Sequence, residues 1–176
     1  VETADDRLQH LQVLEGLAQV GDRSGAADSP MGRLVVVGGD EDDRGLYPHR
    51  LQPLLHVEAL DHAVANIPPE QLRMHLCWGN YEGPHHCDVA LADVLDIVLS
   101  ARPSAIALEA ANPRHAHEWK LFETVKLPEG KLLIPGVIES KSNFIEHPEL
   151  VAQRIGRYAS LVGRENVIAG SDCGFG

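Results

Sequence analysis

Apolar and polar residues follow two different periods along the last two thirds of the chain. Four segments repeat apolar residues every three or four positions, as amphipathic helices do: LLHVEALDHAVANI, DVALADVLDIVLSA, PRHAHEWKLFETV and PELVAQRIGRYASLVG. Each is followed by a short apolar run typical of a buried strand: LRMHLCW, SAIALE, KLLIPGVI and NVIAGS. Four such units in succession predict parallel strands with helices packed on the sheet.

The same order predicts an α/β fold of the TIM type. A complete (β/α)8 barrel needs about 250 residues, whereas this chain has 176 and four clear strand units. The regular pattern ends on a strand, in VIAGSDCGFG, with no helix after it. We therefore expect the C-terminal half of a TIM-type (β/α)8 barrel, truncated before its last helix. Exposed sheet edges in such a half barrel predict self-association.

Residues 1–52 differ in composition from the rest of the chain. They contain no Ile, Phe, Trp, Cys, Asn or Lys, and they are rich in Gly and Asp. A helix in ADDRLQHLQVLEGLAQV and a short strand in RLVVVGG are the two elements predicted there. We expect 1–52 to be a poorly defined segment that adds little to the core, and 53–176 to be the partial barrel domain.

Overall composition excludes several functional classes. A net charge of −11 disfavours a surface for nucleic acid or anionic lipid, since both require clustered positive charge. No apolar run approaches the roughly 20 residues needed to span a bilayer, and the N-terminus lacks the features of a signal peptide. Three cysteines do not form a disulfide framework, so reduced thiols and a cytoplasmic location are expected.

Residue types that bind metals or move protons occur where the predicted strands end. They are His75 and Cys77, then Glu109, then Glu139, and finally Asp172 and Cys173. The carboxyl ends of parallel strands share one rim, which carries the active site in barrel enzymes. Alternate residues of a strand point the same way, so His75 and Cys77 can face one centre. One imidazole, two thiolates and the Glu109 carboxylate form a donor set suited to zinc.

Other interpretations of the histidines and cysteines remain open. An H-x-C pair can occur by chance, with Cys77 acting as a buried, apolar-like thiol and His75 capping a core strand. In GPHHCD, His85, His86 and Cys87 are expected to shape the mouth of the site from a loop, with Asp88 as the N-cap of the next helix. His115 and His117, two positions apart on a predicted helix, are expected to be solvated.

Four stretches carry a resemblance to a known family: HLCWGNYEG, ALEAANPRH, IPGVIESKSN and GSDCGFG. They resemble the C-terminal catalytic domain of the cobalamin-independent methionine synthase family, including archaeal-type members and epoxyalkane:coenzyme M transferase-like proteins. The resemblance runs from about residue 53 to the end. It implies a TIM-type barrel, zinc held by His75, Cys77 and Cys173, and Glu109 as the carboxylate completing the zinc shell.

The resemblance also implies a reaction, the zinc-dependent transfer of a methyl or other alkyl group to a small-molecule thiol. Methyl-folate with homocysteine, in methionine biosynthesis, is the expected donor and acceptor pair, and an epoxide with coenzyme M is the alternative. Where the methionine synthases carry an Asp-Ile-His-Ser type stretch, this chain has Glu139 to Ser142, so Glu139 and Lys141 are the catalytic candidates. A metal-dependent hydrolase and a non-catalytic fragment that docks on a partner are the remaining alternatives.

Overall fold

The computed structural model describes residues 33–38, 51–79 and 88–174 of the chain. Within these ranges the fold is a parallel five-stranded sheet in the order β1-β2-β3-β4-β5. The strands are β1 Arg33–Gly38, β2 Leu72–Cys77, β3 Ala105–Leu108, β4 Leu132–Ile138 and β5 Gly170–Ser171. The α-helices are α1 Leu51–Ala63, α2 Leu91–Ser100 and α3 Pro148–Val162, and short 3-10 helices span Pro69–Gln71, Glu118–Glu123 and Arg164–Asn166.

This arrangement confirms the predicted α/β class and its parallel sheet, which has the form of part of a TIM-type barrel. The four predicted strands all form, and the predicted strand in RLVVVGG forms as β1. Because β1 pairs with β2 over six positions, residues before 53 join the same sheet as the residues after it. The predicted helix near Leu8–Leu17 and the loop with His85, His86 and Cys87 lie outside the described residues.

Two local predictions were wrong. The segment PRHAHEWKLFETV forms turns and the 3-10 helix Glu118–Glu123 in place of an α-helix. The Asn112 side-chain oxygen accepts the backbone N–H groups of Arg114 and His115, which fixes a turn at the start of the segment. Helix α2 begins after Ala90, and Asp88 forms an ion pair with Arg114 where an N-cap was expected.

The two faces of the sheet have different roles. One face packs against the helices in the main apolar core, which includes Val57, Leu60, Leu72, Met74, Leu91, Leu95, Ile106, Leu108 and Leu133. The other face carries a small cluster of Ala105, Ala107 and Ile134. None of the helices in the described ranges is both long and apolar enough to cross a membrane.

Strand register places the predicted ligands on the face opposite the helices. His75 pairs with Ala107 in the parallel register, so both lie on the face with the small cluster. Cys77, two residues further along β2, follows on the same face, whereas Leu76 packs against the main core. The predicted alternation of His75, Leu76 and Cys77 is thereby confirmed.

Candidate metal centre

Three donor side chains converge at the carboxyl ends of β2 and β5. One ligand atom each from His75, Cys77 and Cys173 lies within 4.8 Å of the other two. The Sγ atoms of Cys77 and Cys173 are 2.9 Å apart, and Cys173 Sγ lies 3.5 Å from His75 Nε2. Both cysteines are free thiols. The structure therefore brings together three of the four metal ligands that the sequence predicts.

These distances are compatible with a tetrahedral zinc ion. Zinc–sulfur and zinc–nitrogen bonds of about 2.3 and 2.0 Å place neighbouring ligand atoms about 3.5 to 3.8 Å apart. The Cys173–His75 separation already has that length. The sulfur–sulfur separation of 2.9 Å has to widen by less than about 1 Å, which small side-chain rotations accomplish. Two thiols and one imidazole are also the donor types that zinc prefers.

The close approach of β4 and β5 brings Cys173 to this position. A Cβ atom added to Gly136 of β4 would overlap Oδ1 of Asp172 and lie 2.8 Å from its backbone nitrogen. A side chain at position 136 would therefore push away the residue preceding Cys173. Glycine at this position lets the end of β5 lie against β4.

Burial shifts the pKa values of two of the donors. Burial lowers the pKa of His75, although Glu109 and Asp172 act in the opposite direction, so the imidazole favours its neutral, metal-binding form. Burial also raises the pKa of the Cys77 thiol, with further contributions from its contacts with Cys173 and the Glu109 carboxylate. Without a bound cation, Cys77 therefore holds its proton at neutral pH, and a metal ion must displace that proton to bind.

Glu109 lies beside the three-residue group, at the end of β3. Its carboxylate is 1% exposed. Oε1 accepts the backbone N–H of Trp78 at 3.0 Å, and Oε2 accepts an N–H of the Asn112 amide at 2.7 Å. Both carboxylate oxygens therefore have hydrogen-bond donors from the protein. The role of Glu109 as fourth metal ligand stays a prediction.

Asp172 fixes the geometry between the ends of β3 and β5. It is fully buried, and its Oδ1 accepts the backbone N–H groups of Ala110 and Ala111 at 2.8 Å each. Its Oδ2 accepts the backbone N–H of Asn112 at 2.8 Å and the Asn112 amide at 2.9 Å. The Asp172 carboxylate thus holds the loop after Glu109 against the end of β5.

Asn112 is a residue of the site that sequence reasoning missed. Its Nδ2 bridges Glu109 and Asp172, while its Oδ1 accepts two N–H groups of the following turn. A polar residue three positions beyond Glu109, in the loop at the carboxyl end of a strand, was the available signal. Asp172 stood in the sequence at a strand end, but its four hydrogen bonds depend on residues about 60 positions away.

The two catalytic candidates have different surroundings. The Glu139 carboxylate accepts the backbone N–H groups of Lys141 and Ser142. Burial alone would raise its pKa, but these hydrogen bonds and the nearby Lys141 charge lower it overall, so Glu139 is an ionised carboxylate that shapes its own loop. Lys141 reaches across the rim, where its Nζ lies 3.1 Å from the Gly79 carbonyl oxygen and 3.5 Å from Glu109 Oε2. Of the two, Lys141 contacts Glu109, the carboxylate beside the donor atoms.

His115 is buried, so the expectation that it is solvated was wrong. It is 4% exposed, its ring stacks on Trp78 with centroids 4.2 Å apart, and its Nδ1 lies 2.7 Å from Glu118 Oε2. Trp78 in turn donates its indole N–H to the Val89 carbonyl. This packing fixes the residue that follows Cys77. His117, in contrast, is exposed as predicted.

This chain is similar in sequence to a curated protein and in fold to a solved structure. No family model matches the chain. The uncharacterized protein YxjH of Bacillus subtilis (strain 168) is 28% identical over 150 residues, which cover 82% of this chain and 37% of the relative. Residues 53–176 make up less than 82% of this chain. The aligned region therefore extends into the first 52 residues.

A solved B12-independent methionine synthase from Shewanella sp. W3-18-1, in complex with selenomethionine, has a similar fold. The structural match has a TM-score of 0.60 at 19% sequence identity, and it covers 94% of this chain and 46% of that one. At this identity the likeness concerns the fold. The chain spans less than half the length of either protein it matches.

Proposed function

We propose that this chain provides the zinc-binding part of an enzyme that transfers an alkyl group to a thiol. The observation that carries the proposal is the convergence of the His75, Cys77 and Cys173 donor atoms within 4.8 Å at the strand ends of a parallel sheet. A fold similar to that of a B12-independent methionine synthase supports the same reaction class. Free, unbridged thiols fit a reducing compartment such as the cytoplasm.

In this proposal, His75, Cys77 and Cys173 would hold the ion, and Glu109 or the acceptor thiol would complete its ligand set. When bound, zinc lowers the pKa of a thiol and favours the thiolate, which is the nucleophile. The thiol sulfur then forms a bond to the alkyl carbon as the bond from that carbon to its donor atom breaks. The proton lost by the thiol balances the proton that the leaving group takes up.

The residues around the centre have separate tasks in this scheme. The Asp172 carboxylate and the Asn112 amide hold the ends of β3 and β5 in register, so the donor atoms stay preorganised. Lys141 is a cationic side chain beside Glu109, and it is the candidate to face the negative charge of a substrate or leaving group. Glu139 holds the Lys141 backbone in place and is ionised, so it is a poor proton donor.

For the substrates, we propose homocysteine as the acceptor and a methyl-folate as the donor. The support is the sequence resemblance around His75, Glu109 and Cys173, together with the fold likeness. An epoxide with coenzyme M is the second pair to test. A metal-dependent hydrolase is disfavoured because hydrolytic sites use mainly His and carboxylate ligands, whereas two thiolates suit the activation of sulfur.

Metal analysis followed by product analysis tests the proposal. We expect one zinc per chain after purification and formation of methionine from homocysteine and methyl-tetrahydropteroyl-glutamate. The same protein is offered coenzyme M with an epoxide, and a panel of ester and amide substrates. A thioether product with the second pair would replace the substrates but keep the reaction class. Absence of zinc, or hydrolysis without any thioether product, would contradict the proposal.

A further inference from the structure

The Lys141 side chain links three strand ends of the rim. It leaves the loop after β4, passes the end of β3 and reaches the residue after Trp78, beyond the end of β2. Its Nζ donates to the Gly79 carbonyl at 3.1 Å and pairs with Glu109 Oε2 at 3.5 Å. The Lys141 side chain is 14% exposed and that of Glu109 1% exposed. The pair is thus largely removed from water, where loss of either partner leaves an uncompensated charge.

Glu109 has a full set of donors in this position. Trp78 N–H, the Asn112 amide and the Lys141 ammonium surround its two oxygens. The group of mutually close donor atoms comprises His75, Cys77 and Cys173, and Glu109 is outside it. A carboxylate with these partners gains less from a metal ion than a carboxylate without them, because coordination would require giving up at least part of this set.

We propose that Lys141 is a positioning residue that holds the Glu109 carboxylate beside the metal centre, which leaves the fourth coordination position to the acceptor thiol. This inference rests on the proposed function and specifies how the thiol gains access. Charge balance before the acceptor binds favours it: a bound dication would be neutralised by the Cys77 and Cys173 thiolates, and the Glu109 carboxylate is paired with Lys141. Without Lys141, the buried Glu109 carboxylate would lack this partner, and a bound metal ion would offer it a positive charge.

Hydrogen bonds within the loop after β4 position Lys141 beside Glu109. The Glu139 carboxylate accepts the backbone N–H groups of Lys141 and Ser142, and the Glu139 backbone N–H donates to Glu146 Oε1 at 2.8 Å. Glu146 is paired with Arg154 of α3 at 3.0 Å. The backbone of Lys141 is therefore tied to helix α3, and the side chain needs little further ordering to reach Glu109.

Cobalt(II) in place of zinc provides a test that does not depend on activity. The visible bands of cobalt report its coordination, and its thiolate charge-transfer absorption reports the number of bound sulfurs. We would load the wild type, Lys141→Met, Lys141→Arg and the control Lys126→Met with cobalt, and titrate each with homocysteine. Lys126 is exposed, so its replacement removes the same charge away from the rim. Glu109→Gln, alone and combined with Lys141→Met, completes the set.

We expect Lys141→Met to bind cobalt but to change its visible bands, and to weaken homocysteine binding by about 10- to 100-fold. Lys141→Arg should restore most of the binding, and Lys141→Met should have no further effect in the Glu109→Gln background, because Lys141 acts through Glu109. Homocysteine binding to Lys141→Met that equals that of Lys126→Met would overturn the inference and leave the proposed function intact. A wild type that binds no cobalt, or binds cobalt but no thiol, would overturn both.

Discussion

At the amino ends of the strands, polar side chains bind the backbone of nearby loops, whereas at the carboxyl ends side chains from different strands converge on one another. At the amino end, Lys131 donates to the carbonyls of Ala101 and Pro103, and Arg102 donates to the Ile67 carbonyl at 3.1 Å. Asp61 accepts the Arg102 backbone N–H at 2.7 Å. These contacts join the connections that lead into neighbouring strands.

At the carboxyl end, the donor atoms of His75, Cys77 and Cys173 face one another, with Glu109 and Lys141 alongside. Burial there raises the pKa of the Cys77 thiol, so the metal-free group carries a protonated, uncharged thiol. Polar groups at the amino end complete the fold, whereas the carboxyl end also keeps ligand atoms available for a cation. Barrel enzymes divide stability and chemistry between their two ends in the same way.

The largest expected effect is on metal binding at the carboxyl end. Replacing Cys77 or Cys173 by Ser should abolish stoichiometric zinc binding, because a serine hydroxyl does not ionise to replace the thiolate. Cys87→Ser serves as the matched control and should keep one zinc per chain. Elemental analysis of the three purified variants measures the effect. Loss of zinc in Cys87→Ser alone would show that the centre has been assigned to the wrong cysteines.

The second largest effect is expected when Asp172 is replaced, because its carboxylate stabilises both the fold and the candidate metal centre. Asp172→Asn replaces one acceptor oxygen by a donor facing N–H groups, so roughly 3 kcal/mol of unfolding free energy should be lost. Zinc affinity should fall as well, since Cys173 is the next residue. Denaturant unfolding and zinc titration measure the two effects, with exposed Glu129→Gln as the control. Unchanged stability would mean that Asp172 does not hold β3 and β5 together.

A smaller and purely structural effect is expected at the amino end. Lys131→Met removes the donor to the Ala101 and Pro103 carbonyls and should reduce the free energy of unfolding by roughly 1–2 kcal/mol. Zinc affinity should remain that of the wild type, because Lys131 precedes β4 at the opposite end from the donor cluster. Thermal unfolding and zinc titration of the same sample separate the two quantities. A parallel loss of zinc affinity would remove the distinction between the ends.

Over one pH unit, the smallest expected effect is a change in zinc affinity at the carboxyl end. Since burial raises the pKa of Cys77, metal-free protein holds this thiol protonated and zinc must displace the proton. Apparent zinc affinity should therefore fall as pH falls, by about tenfold per pH unit for each proton released. Competition titrations across the neutral range measure the slope, which Lys131→Met should leave unchanged. An affinity independent of pH would indicate that Cys77 is already a thiolate.

Sequence patterns predicted the strands of this sheet but not all of the segments between them. Apolar runs predicted β2 to β4 because a buried strand needs only a few consecutive apolar residues, and strand alternation placed His75 and Cys77 on one face. For the segment 113–125, the same kind of pattern predicted an α-helix that does not form. Its apolar residues have helical spacing, but the Asn112 side chain caps a turn there and His115 stacks on Trp78. These contacts favour turns and a 3-10 helix over the α-helix that the spacing predicts.

By itself, the sequence determined the α/β class, the order of the units and which residue types stand at the strand ends, because these follow from patterns a few residues long. Only the tertiary structure decided how those ends meet. Cys77 and Cys173 are separated by 96 positions, Asp172 and Asn112 by 60, and Lys141 and Glu109 by 32. Contacts over such separations depend on strand register and on close approaches such as that of Gly136 to Asp172, and no local pattern encodes them.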